Sequence, residues 1–173
     1  MEENIEQIIG DLLIQKQKYL VTAESCTGGM LSNLITDVPG SSDYYIGGVS
    51  TYSYGAKRKL LKVKAMTLKS YGAVSSETVK EMAIGVRELF AEEVTFENII
   101  GISISGIAGP GGGMPGKPVG LVWVGLSTLD GTWAYKRVWN GDRIQNKKYS
   151  SIFALQLLQA YLTGNLESIR KEK

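Results

Sequence analysis

From residue 3 to residue 106, helical and strand-like apolar patterns take turns along the chain, which then doubles back in a hairpin. Ile5, Ile8, Ile9, Leu12 and Leu13 recur at helical spacing and predict an amphipathic helix over 3–17. "KYLVTAE" (18–24) reads as a strand, and Met30, Leu31, Leu34 and Ile35 mark a second helix over 27–36. After the turn-forming "DVPGSS", a strand is expected over 46–53 and a short basic helix over 56–63. Ser76 and Glu77 open a longer helix through about Ala91, with Val79, Met82, Ala83, Val86 and Leu89 as its buried stripe. The Ile-rich 98–106 reads as a buried strand, 119–128 and 132–139 as a hairpin around "LDG", and 142–162 as a final helix.

This order predicts an α/β fold, a three-layer α/β/α sandwich with a mixed central sheet. One domain is expected over 1–165, followed by a frayed tail over 166–173. Ligands in such folds bind beyond the carboxyl ends of strands. Two loops have that placement, after 18–24 and after 98–106, and both are rich in glycine.

The chain of 173 residues has no histidine and one cysteine. That removes Ser-His-Asp and Cys-His arrangements, imidazole zinc sites and thiolate clusters. No cofactor or metal is expected, and a hydrolase built on this chain needs Lys, Tyr, Asp or Glu as its base. A net charge of +2 gives no reason to expect nucleic acid or a membrane surface as partner. No apolar run approaches about 18 residues, and no leader pattern is present, so a cytoplasmic location is expected.

The first loop, in "TAESCTGGM", sets Ser25 at a strand-to-helix turn, where free backbone N–H groups can hold an oxyanion or a phosphate. A helix cap by Ser25 or Thr27 accounts for the same residues. Cys26 is a competing nucleophile or a small buried hydrophobe. A serine nucleophile without histidine needs a lysine of lowered pKa. "STYSYGAKRKLLKV" offers Lys57, Arg58, Lys59, Lys62 and Lys64, and spacing alone selects none of them; Tyr52 and Tyr54 could be core aromatics. The second loop, "SGIAGPGGGMPGKPVG", holds seven glycines in 16 residues. It lacks the Gly-Lys-Ser/Thr ending of a phosphate-binding P-loop but suits close backbone approach to an anionic ligand. Arg143, in "NGDR", is either a fixed charge for a phosphate or half of a surface salt bridge.

"TAESCTGG", "GAVSSETVKEMAIG", "SISGIAGPGGG" and "KPVGLVW" together resemble the CinA carboxy-terminal domain family, over about residues 4–162. The resemblance implies the stand-alone form, without the family's amino-terminal nucleotide-binding domain. It also implies hydrolysis of the carboxamide of nicotinamide mononucleotide to nicotinate mononucleotide and ammonia, in pyridine nucleotide salvage. Carried over residue by residue, Ser25 is the nucleophile and Lys57 its base, with the Tyr52 hydroxyl beside them. Thr27, Gly28, Gly29, Gly106, Gly109, Gly112 and Arg143 become substrate-binding residues. The chain departs from the family's pattern at Tyr54, where Asn is usual, and at Gly111, where Asp is common. The expected partner is a small nucleotide, and the hairpin could pair with another copy to give a dimer or higher oligomer. A reading from another class is a non-catalytic nucleotide-binding or interaction protein linked to competence and DNA damage.

Overall fold

A computed structural model describes residues 4–170. Among these, five strands form one mixed sheet in the order β2-β1-β3-β4-β5. β1 (Tyr19–Glu24) lies parallel to both β2 (Tyr45–Ser50) and β3 (Ile99–Gly106). β4 (Leu121–Thr128) and β5 (Gly131–Val138) complete the sheet as an antiparallel hairpin on β3. The expected three-layer sandwich is present. α1 (Ile5–Gln15), α2 (Met30–Thr36) and α6 (Arg143–Leu162) pack on one face, where Ile9, Leu13, Leu31, Leu155 and Leu158 meet Ile100, Ile102 and Val124. α3 (Tyr54–Leu61), α4 (Ala65–Tyr71) and α5 (Ser76–Leu89) cover the other, where Leu61, Leu68, Met82 and Val86 meet Val21, Ala23 and Ile99.

The strand order explains where a site can form. The chain leaves β1 for β2 on one side and returns through α3–α5 to β3 on the other. The connection therefore reverses at β1, and a crevice opens beyond the carboxyl ends of β1 and β3. Both glycine-rich loops begin there.

Several boundaries differ from the sequence expectation for local reasons. α2 starts at Met30 rather than at 27, because Gly28 and Gly29 adopt left-handed φ angles of 60° and 96°. β2 ends at Ser50, since Ser53 turns outward to cap α3, its Oγ accepting from Ala56 N at 3.1 Å. The seven-residue α4 was not expected; it buries only Thr67 and Leu68, too few to make a periodic stripe. The expected first helix begins at residue 3, outside the described residues; its described part starts at Ile5. Where the tail was expected to fray, Leu166–Arg170 forms α7, and Leu166 and Ile169 pack against the core. The remainder of the expected tail, 171–173, lies outside the described residues.

Candidate active site

Alternation along β1 sends successive side chains to opposite faces of the sheet. Val21 and Ala23 join the core under α5, while Thr22 and Glu24 face α2. Thr22 Oγ1 lies within hydrogen-bond distance of Ser32 Oγ (3.0 Å) and Tyr45 Oη (2.8 Å). Glu24 is buried, and its carboxylate accepts from the backbone N–H groups of Gly29 (3.0 Å), Leu31 (3.1 Å) and Ser32 (2.9 Å) and from Ser32 Oγ (2.7 Å). A negative group thus fills the start of α2, and four hydrogen bonds offset its desolvation.

Ser25 follows on the next register position. Its N–H continues the β1–β3 ladder to Ile104 O at 2.9 Å, which fixes its backbone between the two parallel neighbours. On the β2 side, Thr51 N donates to Glu24 O at 2.8 Å and holds Thr51 beside the same strand end. Lys57 reaches this point from α3. It shares the buried face of that helix with Leu61, one turn on. The helix is locked in place by α5, where a Cβ on Gly85 would come within 2.0 Å of Leu61 O, so only glycine permits the approach. Lys57 Nζ donates to Ser25 Oγ at 2.9 Å and to Thr51 O at 2.6 Å. Lys57 is 0% exposed, and burial lowers its pKa from 10.5 to about 8.

Ser25 and Lys57 are therefore in contact. Cys26 is buried among packing neighbours, and burial raises its thiol pKa to about 11. A thiol so disfavoured as thiolate is a poor nucleophile at neutral pH.

Other expected site residues take different places. Tyr52 is 64% exposed and is not a core aromatic; its hydroxyl accepts from Arg143 Nη2 at 3.0 Å rather than joining Ser25 or Lys57. Tyr54 is also exposed, and its hydroxyl accepts from Ala73 N at 3.2 Å, so the departure at this position ties α3 to the turn between α4 and α5. Among the described residues, Arg143 makes no salt bridge. Its Nη1 donates to Gly109 O at 2.6 Å, so the guanidinium staples the second glycine loop to the segment after β2. Asn146, one turn along α6, supports the same loop: its Nδ2 donates to Ala108 O at 3.0 Å and its Oδ1 accepts from Gly141 N.

Among the glycines, Gly106 answers a packing need, since a Cβ there would lie 2.8 Å from Leu121 O. Gly109 and Gly112 have φ angles of 92° and 90° and shape the loop itself. A Cβ at Gly111 would meet nothing within 4 Å, so the glycine that replaces the family's Asp is not required by packing. Thr27 is fully buried with its Oγ1 unpartnered.

The start of α2 had been the expected source of oxyanion donors. Glu24 already occupies the N–H groups of Gly29, Leu31 and Ser32, while Gly28 N donates to Ser25 O and Met30 N to Thr27 O. Among the described residues, the N–H of Thr27 has no backbone acceptor in this turn, while that of Cys26 faces its own thiol. No group of three or more His, Cys, Asp or Glu side chains among the described residues is placed to hold a metal ion. No described helix is long and apolar enough to cross a membrane.

A model of the CinA C-terminal domain matches residues 2–162. The chain belongs to the CinA C-terminal domain family. It is 48% identical over 157 residues to a CinA-like protein of Desulforapulum autotrophicum, covering 90% of this chain and 36% of that protein. It is also similar to a crystal structure of a CinA superfamily protein from Klebsiella pneumoniae, at 33% identity and a TM-score of 0.84, over 94% of this chain and 99% of that one. A competence or damage-inducible protein from Enterobacter asburiae is similar at 32% identity and a TM-score of 0.84, over 91% and 96% of the two chains. The chain thus spans little more than a third of the curated CinA relatives it matches, but nearly all of these solved CinA structures.

Glu24, Thr51 and Asn146 were absent from the sequence-based site. Glu24 carried a usable signal, its even position in β1 opposite Ala23. Thr51 acts through its carbonyl, which no residue type announces.

Proposed function

We propose that the site hydrolyses the carboxamide of nicotinamide mononucleotide, with Ser25 as nucleophile and Lys57 as base. The observation that carries this reading is the buried 2.9 Å contact between Lys57 Nζ and Ser25 Oγ, made by a lysine whose pKa burial brings to about 8. As an ammonium, Lys57 donates to both Ser25 and Thr51. After losing a proton it keeps Thr51 O as acceptor and turns its lone pair toward the serine hydroxyl.

Oγ then adds to the amide carbon as its proton passes to Nζ. On this reading the Thr27 N–H of the same turn receives the developing oxyanion; one such donor contributes on the order of 3 kcal/mol. Collapse breaks the C–N bond, and Lys57 returns its proton to the departing nitrogen, releasing ammonia. Water, deprotonated by the same lysine, cleaves the acyl ester and restores Ser25.

The test is ammonia release from nicotinamide mononucleotide by the purified chain. The wild type should turn over and folded Ser25→Ala should lose at least ~10³-fold in kcat. Wild-type protein that binds the nucleotide without releasing ammonia would instead support the non-catalytic reading.

A further inference from the structure

Lys147 belongs to neither the dyad nor the staple made by Arg143. It lies one turn after Arg143 on α6, half-buried, and among the described residues its ammonium has no hydrogen-bond acceptor and no ion-pair partner. It borders a small gap with Cys26, Gly106, Ile107 and Ala108, between the nucleophile turn and the second glycine loop. Its Nζ is 3.9 Å from the point where a Cβ on Gly28 would sit, and it is the only group within 4 Å of that point. Above Gly29 the space is open, with nothing within 4 Å.

Thr27 Oγ1 is buried in the same turn without a partner. The turn's one carboxylate, Glu24, is already bound by four donors. Lys147 Nζ and Thr27 Oγ1 therefore both lack a partner at a turn that is open above Gly29. That is the environment an anion completes.

We propose that Lys147 is a specificity residue that binds the phosphate of a mononucleotide substrate over the Gly28–Gly29 turn; this rests on the reading of the site as a nucleotide amidase. Arg143, by contrast, already donates to Gly109 O and Tyr52 Oη. The half-exposed position suits a phosphate, which keeps part of its hydration, while the carboxamide enters the dry dyad at Ser25.

The experiment compares nicotinamide mononucleotide with its riboside, which lacks the phosphate, using wild type, Lys147→Gln and Lys147→Arg. Lys147→Gln should raise KM for the mononucleotide on the order of tenfold with kcat held within about twofold. The preference for mononucleotide over riboside should collapse by the same factor, and Lys147→Arg should restore most of it. An equal loss with both substrates, a loss carried by kcat, or no change overturns the proposal. If wild type releases no ammonia from either compound, the amidase reading fails, and Lys147 is judged by calorimetry with nicotinamide mononucleotide and riboside. Tighter wild-type binding of the mononucleotide, lost in Lys147→Gln, supports the phosphate subsite, and equal affinities overturn it.

Discussion

The sheet carries a buried cation at each end, and among the described residues neither forms a salt bridge with a carboxylate. Arg87, on α5, lies at the end where β3 begins. Its Nε donates to Ile99 O (2.8 Å), Nη1 to Ser127 Oγ (3.1 Å) and Thr128 O (2.9 Å), and Nη2 to Phe96 O (3.2 Å), and the guanidinium stacks on the Phe96 ring. Lys57, at the opposite end, has two acceptors, one of them the hydroxyl it would activate. Burial lowers both pKa values. An arginine starts so high that it stays charged, and its planar fork ties together three segments. A lysine brought to about 8 can empty its third position and accept a proton. Similar burial gives a clamp in one case and, on the proposed reading, a base in the other, and the difference lies in the number of fixed acceptors and the starting basicity.

The contrast is broken most severely by placing the clamp's chemistry at the base's position. Lys57→Arg keeps a cation but removes the ability to deprotonate near neutrality. Activity should fall by at least ~10³-fold in protein whose circular dichroism shows a retained fold. In the wild type, kcat/KM should rise with pH and level off above a midpoint near 8, because only the neutral amine accepts the serine proton. Near-normal turnover by folded Lys57→Arg removes Lys57 as base. The linkage to stability has the same sign. The unfolded chain holds the lysine proton up to about 10.4, so between pH 8 and that value it binds more protons than the folded one, and stability from this group increases with pH across that window.

The layered fold was legible because each long element carries its own periodicity. Five apolar positions in α1 and the buried Val79, Met82, Ala83 and Val86 of α5 leave little choice of face, although Leu89, expected in the same stripe, is exposed at the helix end. α4, with two buried residues, leaves no such trace. The site was legible in pieces. Ser25 is announced by its strand-to-turn setting, and the glycines after it have the backbone angles that glycine favours. Its meeting with Lys57 spans 32 positions and depends on how α3 packs against α5, which no local pattern encodes. A hint was present nonetheless: Lys57 and Leu61 share one helical face, while Arg58, Lys59 and Lys62 do not. The Tyr52 hydroxyl, expected beside the dyad, instead accepts from an arginine on α6, 91 positions away, a long-range contact that no local pattern encodes.

A second break acts on the clamp. Arg87→Met leaves the carbonyls of Phe96, Ile99 and Thr128 without this donor and opens the contact with the Phe96 ring. A loss on the order of 3 kcal/mol is expected from the carbonyls left unsatisfied, read as a lower midpoint in urea at unchanged slope. Arg87→Lys should fall between, since one ammonium cannot span the same acceptors. Activity per folded molecule should stay within about threefold, because the damage lies at the far end of the sheet from Ser25. A large fall in kcat with little change in stability would contradict this division of labour.

The finest distinction concerns Cys26, which adjoins Ser25 and is coupled electrostatically to Lys57. A thiolate there would hold Lys57 as an ammonium and make it a poor base. Burial pushes the thiol to about 11, so at neutral pH it is uncharged and exerts no such hold. Cys26→Ala should therefore keep kcat within about threefold and leave the midpoint of the pH–rate profile near 8. The stability cost should be about 1 kcal/mol, that of a small cavity beside Gly106 and Ala108. A midpoint that moves down in Cys26→Ala would show that the wild-type thiol is ionised and paired with Lys57. The serine's base would then be a lysine competing with a neighbouring nucleophile, and the separation of roles between Ser25 and Cys26 would have to be redrawn. An unchanged midpoint with retained turnover leaves Cys26 as packing and Lys57 as the one group at this end of the sheet whose proton is in play.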